Sequence, residues 1–195
     1  MEIKTATWGW YPPKYELVNG TFKIYFNPVE GTETRTHRDP ETNEETSEDV
    51  TVYTVNYIEK KYPELLQAIK DKNDVLVSKL LLIERINAYD ASDNVNSFTL
   101  DGNKLWLDKS TRVGLMNSLS IEKDSGVETS TIWYNGKSYD VTCDKAINVL
   151  KQLELYAVKC YNTTATHLET VNSLTTVDEL DNFDYKADYP EKLKF

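Results

Sequence analysis

The sequence predicts an α+β protein in which short antiparallel hairpins pack with two long helices and two short ones. Three turn dipeptides, Asn19-Gly20, Asp101-Gly102 and Asn135-Gly136, each stand between short apolar runs, which is the strongest local hairpin signal. Two longer stretches, beginning near Pro63 and Lys145, instead repeat apolar residues at intervals of three and four, the period of a helix with one buried face. The chain has 195 residues, 39% of them hydrophobic, so it can bury a core without disulfide staples.

Residues 1–14 read as an arm, because Trp8, Trp10 and Tyr11 precede the pair Pro12-Pro13, which favours extended backbone. Tyr15 to Asn27 forms the first hairpin around Asn19-Gly20. Pro28 to Asp49 carries eight Asp and Glu against two Arg and almost no large apolar residue, the composition of a mobile acidic loop. Val50 to Tyr57 returns to period two and should pair with the first hairpin. Residues 1–60 thus form an arm and hairpin module, and 61–195 an α+β domain.

Pro63 suits the first turn of a helix, and Leu66, Ile69, Leu76, Leu80 and Ile83 extend its stripe for about six turns. Asn73 and Asn87 interrupt that stripe; in a coiled-coil seam they would select one register and oligomer state. A second hairpin spans Val95 to Leu107, a short helix Lys109 to Glu122, and a third hairpin Val127 to Val141. Thr142 then caps the second long helix.

Along that helix Ala146, Leu150, Leu153, Ala157, Cys160, Thr164, His167, Val171 and Leu174 keep a four-three rhythm. Such a stripe packs either on the chain's own sheet or against a second copy. Its small and polar middle, Ala157, Cys160, Thr164 and His167, is the candidate intersubunit seam. Thr175 or Thr176 caps a last short helix, and the aromatic tail with Tyr185, Tyr189 and Phe195 must dock to be ordered. Trp8, Trp10, Tyr11 and these tail aromatics are the other interface candidates, since exposed aromatics make good anchors.

Charge and motifs narrow the function classes. A net charge of -10 without any Lys/Arg cluster opposes binding to nucleic acid. No apolar run approaches the roughly 18 to 20 residues of a membrane span, and Met1-Glu2-Ile3-Lys4 does not begin a secretory signal, so the expected site of synthesis is the cytoplasm. Cys143 and Cys160 lack metal-site spacing and read as buried thiols. No cofactor is expected. Asp90, Ser92, Asn94 and Asp101 place oxygens at the first, third, fifth and twelfth positions of a calcium loop, yet Val95 stands where that loop needs Gly. Turn closure accounts for the same residues. No nucleophile elbow, phosphate loop or zinc-protease motif occurs, so a non-enzymatic role is expected.

The second half also carries an ordered set: Tyr89-Asp90-x-Ser92, Val95-Asn96-x-Phe98, Asp101-Gly102, Trp106-Leu107-Asp108 and Arg112. Trp133-Tyr134, Gly136, Tyr139, the cap at Thr142 and the long helix before Thr176-x-Asp178-Glu179-Leu180 follow. Over roughly residues 65 to 195 this order resembles a domain of unknown function found in tail-fibre and fibre-associated proteins of tailed bacteriophages and Bacteroidetes prophages. The resemblance implies a virion structural or assembly protein, made in the bacterial host cytoplasm, with other phage structural proteins as partners and homo-oligomerisation expected. Two alternatives remain open: a receptor- or carbohydrate-binding module using Trp106, Trp133 and Tyr134, and a small metal-assisted enzyme using the Asp90 to Asp101 cluster.

Overall fold

The computed structural model describes residues 2–40, 43–134 and 136–195. Its elements in chain order are β1 (Lys4–Trp8), β2 (Tyr15–Val18), β3 (Thr21–Arg38), β4 (Glu45–Lys60), α1 (Pro63–Lys70) and α2 (Asp74–Ala91). Then come β5 (Phe98–Leu100), β6 (Asn103–Leu105), α3 (Lys109–Asp124), β7 (Thr129–Tyr134), β8 (Lys137–Thr142), α4 (Cys143–Ser173) and α5 (Val177–Asp181). The fold is α+β, with antiparallel strand pairing in every sheet. The chain divides into two compact units, Met1–Ser92 with Thr166–Ala187, and Asp93–Ala165 with Asp188–Phe195. That division differs from the break expected at residue 60, because α1, α2 and the last helical segments join the N-terminal sheet.

In the first unit the strands run in the order β1-β4-β3-β2. Asn19 and Gly20 join β2 to β3 with φ of 49° and 76°, the left-handed pair that a two-residue turn of this hand requires. One sheet face buries Phe22, Ile24, Phe26 and Ile58 against Leu65 of α1 and Leu81 and Ala88 of α2. Full burial of each large side chain here stabilises the fold by about 1.5–3 kcal/mol relative to exposure. Leu82 and Ile86, on the adjoining stripe of α2, pack with Val171 and Leu180.

The single six-turn helix expected from Pro63 is two helices. Asp71 to Asn73 close α1 with amides donated back to Gln67, Ile69 and Ala68, while Lys72 takes φ of 54°, a helix-ending closure. Asn73 then caps α2, its side chain accepting from the Leu76 amide at 3.0 Å. The polar residue expected to select a seam register is thus a helix start. Five helices, not four, follow among the described residues.

Two further expectations change. The arm contains an edge strand, with Lys4–Trp8 paired to β4 from Tyr57 to Tyr53. The acidic stretch 28–49 is largely β-ribbon, with β3 and β4 paired in ten rows from Val29↔Thr54 to Arg38↔Glu45. Its β-branched threonines favour extended backbone, and cross-strand bonds add to it: Thr34 to Asp49 at 2.7 Å and Thr36 with Ser47 at 3.2 Å. Low apolar content predicts exposure here correctly, since residues 29–38 and 43–49 are all exposed, but exposure did not require irregular backbone.

The second unit has the expected hairpins and short helix, with Asn135 of the third hairpin's turn lying outside the described residues. Phe98, Leu107, Leu119, Ala146, Leu150 and Leu153 form its core. Asp101 and Gly102, with φ of 47° and 76°, turn β5 into β6. The tail docks as expected: the Thr99 amide donates to Leu193 at 3.0 Å and the Phe195 amide to Thr99 at 2.8 Å, so the last residues lie parallel beside β5. Arg112, almost fully buried, donates to the Leu107 carbonyl at 2.6 Å and to Glu154 at 2.9 Å and lies over Trp106.

Candidate functional site

The register of the first sheet sends alternate residues to the face away from the helices. Paired rows Trp8↔Tyr53, Ala6↔Val55, Lys4↔Tyr57 and Tyr25↔Tyr57 put Trp8, Tyr25, Tyr53 and Tyr57 there together, since side chains alternate across a strand. Trp10 and Tyr11, just past the end of β1, join them. Trp10 meets Trp8 edge-on at 5.4 Å, Trp8 meets Tyr25 at 5.5 Å, and Tyr25 lies 5.6 Å from Tyr57. Tyr11 stands edge-on to Tyr53 at 5.4 Å. Edge-to-face pairs hold rings in fixed directions, yet Trp10 and Tyr11 are each 66% exposed.

The segment carrying these rings is fixed from below. Arg85 of α2 donates to the carbonyls of Tyr25 at 3.0 Å and Lys14 at 3.2 Å, and the Tyr25 amide donates to Lys14 at 3.1 Å. Lys14 pairs with Asp181, and Pro12 is buried. Burial lowers the Arg85 pKa. Polar groups border the rings: Tyr25 donates to Glu16 at 2.7 Å, Tyr53 to Glu30 at 3.2 Å, Lys4 pairs with Glu59 at 2.6 Å, and Lys23 lies over Tyr57. Burial first, then the bond to Glu16, pushes the Tyr25 hydroxyl well above the usual tyrosine range, so it remains a donor at neutral pH. The result is a rigid aromatic platform with a charged border, suited to docking through ring faces and edges.

Trp8, Trp10 and Tyr11, singled out in the sequence, therefore come together. Tyr25, Tyr53 and Tyr57 did not stand out. For Tyr53 and Tyr57 the signal was that Val52 to Ile58 places Val, Tyr or Ile on both sets of alternate positions, the mark of a strand with both faces in use.

The other interface candidates serve the chain's own packing. Cys160, Thr164 and His167 are buried and Ala157 is half-buried, so the stripe packs within the chain, the first of the two readings its spacing allowed. His167 packs edge-on against Phe183 at 5.3 Å, and the Thr164 hydroxyl bonds Tyr189 at 2.8 Å. The Tyr185 hydroxyl accepts the Asn27 amide at 2.9 Å where β3 bulges between Phe26 and Val29, and its ring meets Tyr89. Phe195 packs on Phe98.

The calcium candidates have local roles. Ser92 ends α2, its hydroxyl donating to the Tyr89 carbonyl at 2.6 Å. Asp101 makes the β5–β6 turn, Asp90 is the penultimate residue of α2, and Asn94 lies in the turn that follows. Among the described residues, no group of three or more His, Cys, Asp or Glu converges to hold a metal ion, and no helix is long and apolar enough to cross a membrane.

Trp106, Trp133 and Tyr134 do not form one exposed site. Adjacent Trp133 and Tyr134 point to opposite faces of β7, and Trp133 is exposed while Tyr134 donates to the Trp106 carbonyl. Trp106 is half-buried against Arg112 and Tyr156. The second unit instead has an apolar cavity of about 310 Å³, walled by Phe98, Leu105, Ile132, Val141 and Leu150, with Asp140 and Lys145 among its polar lining. That volume is at the lower end of small-ligand pockets.

No family model, no curated protein and no solved structure matches this chain.

Proposed function

We propose that this protein is a non-enzymatic structural or assembly component of a bacteriophage or prophage particle, associated with tail, collar or fibre and acting through protein-protein docking and self-assembly. The observation that carries the docking reading is the platform of Trp8, Trp10, Tyr11 and Tyr53, whose outermost rings are 66% exposed while held by edge-on neighbours. Rigid aromatic rings lose little entropy on binding and supply most of the energy of protein interfaces. The phage context comes from the ordered resemblance in the second half of the sequence. Other particle proteins are the partners, and the virion is the location.

The test is incorporation. Particles purified from a producing strain should contain the wild-type chain by mass spectrometry, while the double variant W10A/Y11A, folded by circular dichroism, should fall at least tenfold in copy number. Particles free of the chain would overturn the reading. A second reading, a receptor- or carbohydrate-binding module, draws on the same platform, since Glu30 and Lys23 border its rings. Binding of wild-type chain to host cell envelopes that W10A/Y11A abolishes, with no incorporation into particles, would favour it.

A further inference from the structure

We infer that the β3–β4 ribbon pairs with the same ribbon of a second copy, β3 of one molecule lying antiparallel against the outer edge of β4 of the next. This inference names a partner for the self-assembly reading above and rests on it.

Both ribbon edges are open. β1 covers β4 only from Tyr57 to Tyr53, and β2 covers β3 only from Thr21 to Ile24. Beyond them, among the described residues, the outer edges of Val29 to Arg38 and of Glu45 to Val52 face no further strand. Natural sheets blunt such edges with charged side chains, Lys above all, with Pro or with bulges; the charges on these two edges are Arg, Asp and Glu. Neither Lys nor Pro occurs in residues 29–38 or 45–54, and the one register shift lies at the ribbon's base, between Phe26 and Val29. A two-stranded ribbon with both faces exposed is marginal alone and gains from each strand added.

Charge selects which edges meet. Near the tip β3 offers Arg35 and Arg38, and β4 offers Glu45, Glu48 and Asp49. Within one molecule the rows are Arg35↔Glu48, Arg38↔Glu45, Thr34↔Asp49 and Thr36↔Ser47. Two ribbons pointing the same way set β3 of one antiparallel to β4 of the other. In the same register every one of those rows recurs between molecules: Arg opposite Glu, hydroxyl opposite hydroxyl or carboxylate. The contact uses different surfaces of the two copies, so repetition closes a ring wherever the rotation allows. The ribbon's acidic excess opposes this at low ionic strength, and physiological salt screens that repulsion over about 8 Å.

Light scattering coupled to size exclusion, at high micromolar full-length chain and physiological salt, tests the pairing. Wild type should elute at a multiple of 22.5 kDa. E45R/E48R and R35E/R38E should each be monomeric, because like charges then oppose across the junction. Their equimolar mixture should regain the larger mass, since each variant's β3 then meets an opposite charge on the other's β4. Rows made only within a molecule cannot be repaired by mixing. A further variant, with residues 33–50 replaced by Asn-Gly, should be monomeric with its helical circular-dichroism signal retained, which controls for misfolding. A monomeric wild type, oligomeric charge-reversed or shortened variants, or a mixture that stays monomeric would each overturn the pairing. Particle incorporation is read separately: a monomeric wild type still found in particles defeats the ribbon pairing alone, and an oligomer absent from particles defeats the phage reading alone.

Discussion

Among the described residues, helix α4 and the β3–β4 ribbon are the two longest pieces of regular structure; the ribbon reverses what its composition implied, and α4 follows the internal one of the two readings its spacing left open. The four-three rhythm of α4 is consistent with a seam between copies, yet Leu153, Cys160, His167 and Val171 are buried within the chain itself. The Glu- and Thr-rich ribbon suits a mobile loop, yet it is paired row by row and wholly exposed for most of its length. Periodicity therefore reports that a face is buried, not whose surface covers it. Polarity reports that a segment meets water, not that its backbone is irregular.

That contrast breaks most clearly at Leu153, 1% exposed in the core of the second unit. Leu153→Ala should cost about 3 kcal/mol, the usual range for a buried leucine being about 2–5, visible as a lower midpoint in chemical denaturation. At Gly20, where φ is 76°, Gly20→Ala places a side chain in left-handed backbone and should cost about 1 kcal/mol. It should also raise hydrogen exchange of the β2–β3 amides.

Thr176→Ala should cost about 1 kcal/mol or less. Thr176 accepts the Glu179 amide, and Glu179 accepts the Thr176 amide in return, so the change fits a small thermal shift with local fraying of α5.

A pH series probes a smaller effect. The Thr111 amide and the Ser110 hydroxyl hold the Asp108 carboxyl below its usual range. A carboxylate whose pKa is lower when folded stabilises the fold above its unfolded value, about 4. That contribution is lost as pH falls through the lower folded value. The N-terminus of α3 should therefore loosen below about pH 4, and Asp108→Asn should flatten this part of the thermal profile. Last, in chain diluted until it is monomeric, replacing residues 33–50 with Asn-Gly should shift stability by less than about 0.5 kcal/mol, because the ribbon buries almost nothing; a larger loss measured by denaturation would mean that the ribbon supports the sheet.

Most of the fold was legible because local chemistry and tertiary packing agree. Asn19-Gly20 and Asp101-Gly102 are turns, Thr176 is a cap, and the helices of the second unit lie where the spacing puts them. The break at Lys72 was hidden because Leu66, Ile69, Leu76 and Leu80 keep a helical interval straight across it, while Asn73 has two uses, seam residue or cap, that spacing cannot separate. The aromatic platform was half legible. Trp10 and Tyr11 beside two prolines announce an exposed segment, but Tyr25, Tyr53 and Tyr57 join them only through the strand register, which depends on the bulge between Phe26 and Val29.

The way α4 is shared bears on how the chain is made. Residues 166–173 of that helix, with α5, belong to the unit built on the first four strands, while its earlier turns belong to the other. During synthesis the N-terminal sheet therefore emerges, and must wait, while the whole intervening stretch is translated before Val171 and Leu180 can cover Leu82 and Ile86. At about 5–20 residues per second that delay lasts several seconds. Throughout it the face of α2 that carries Leu82 and Ile86 stands without its cover.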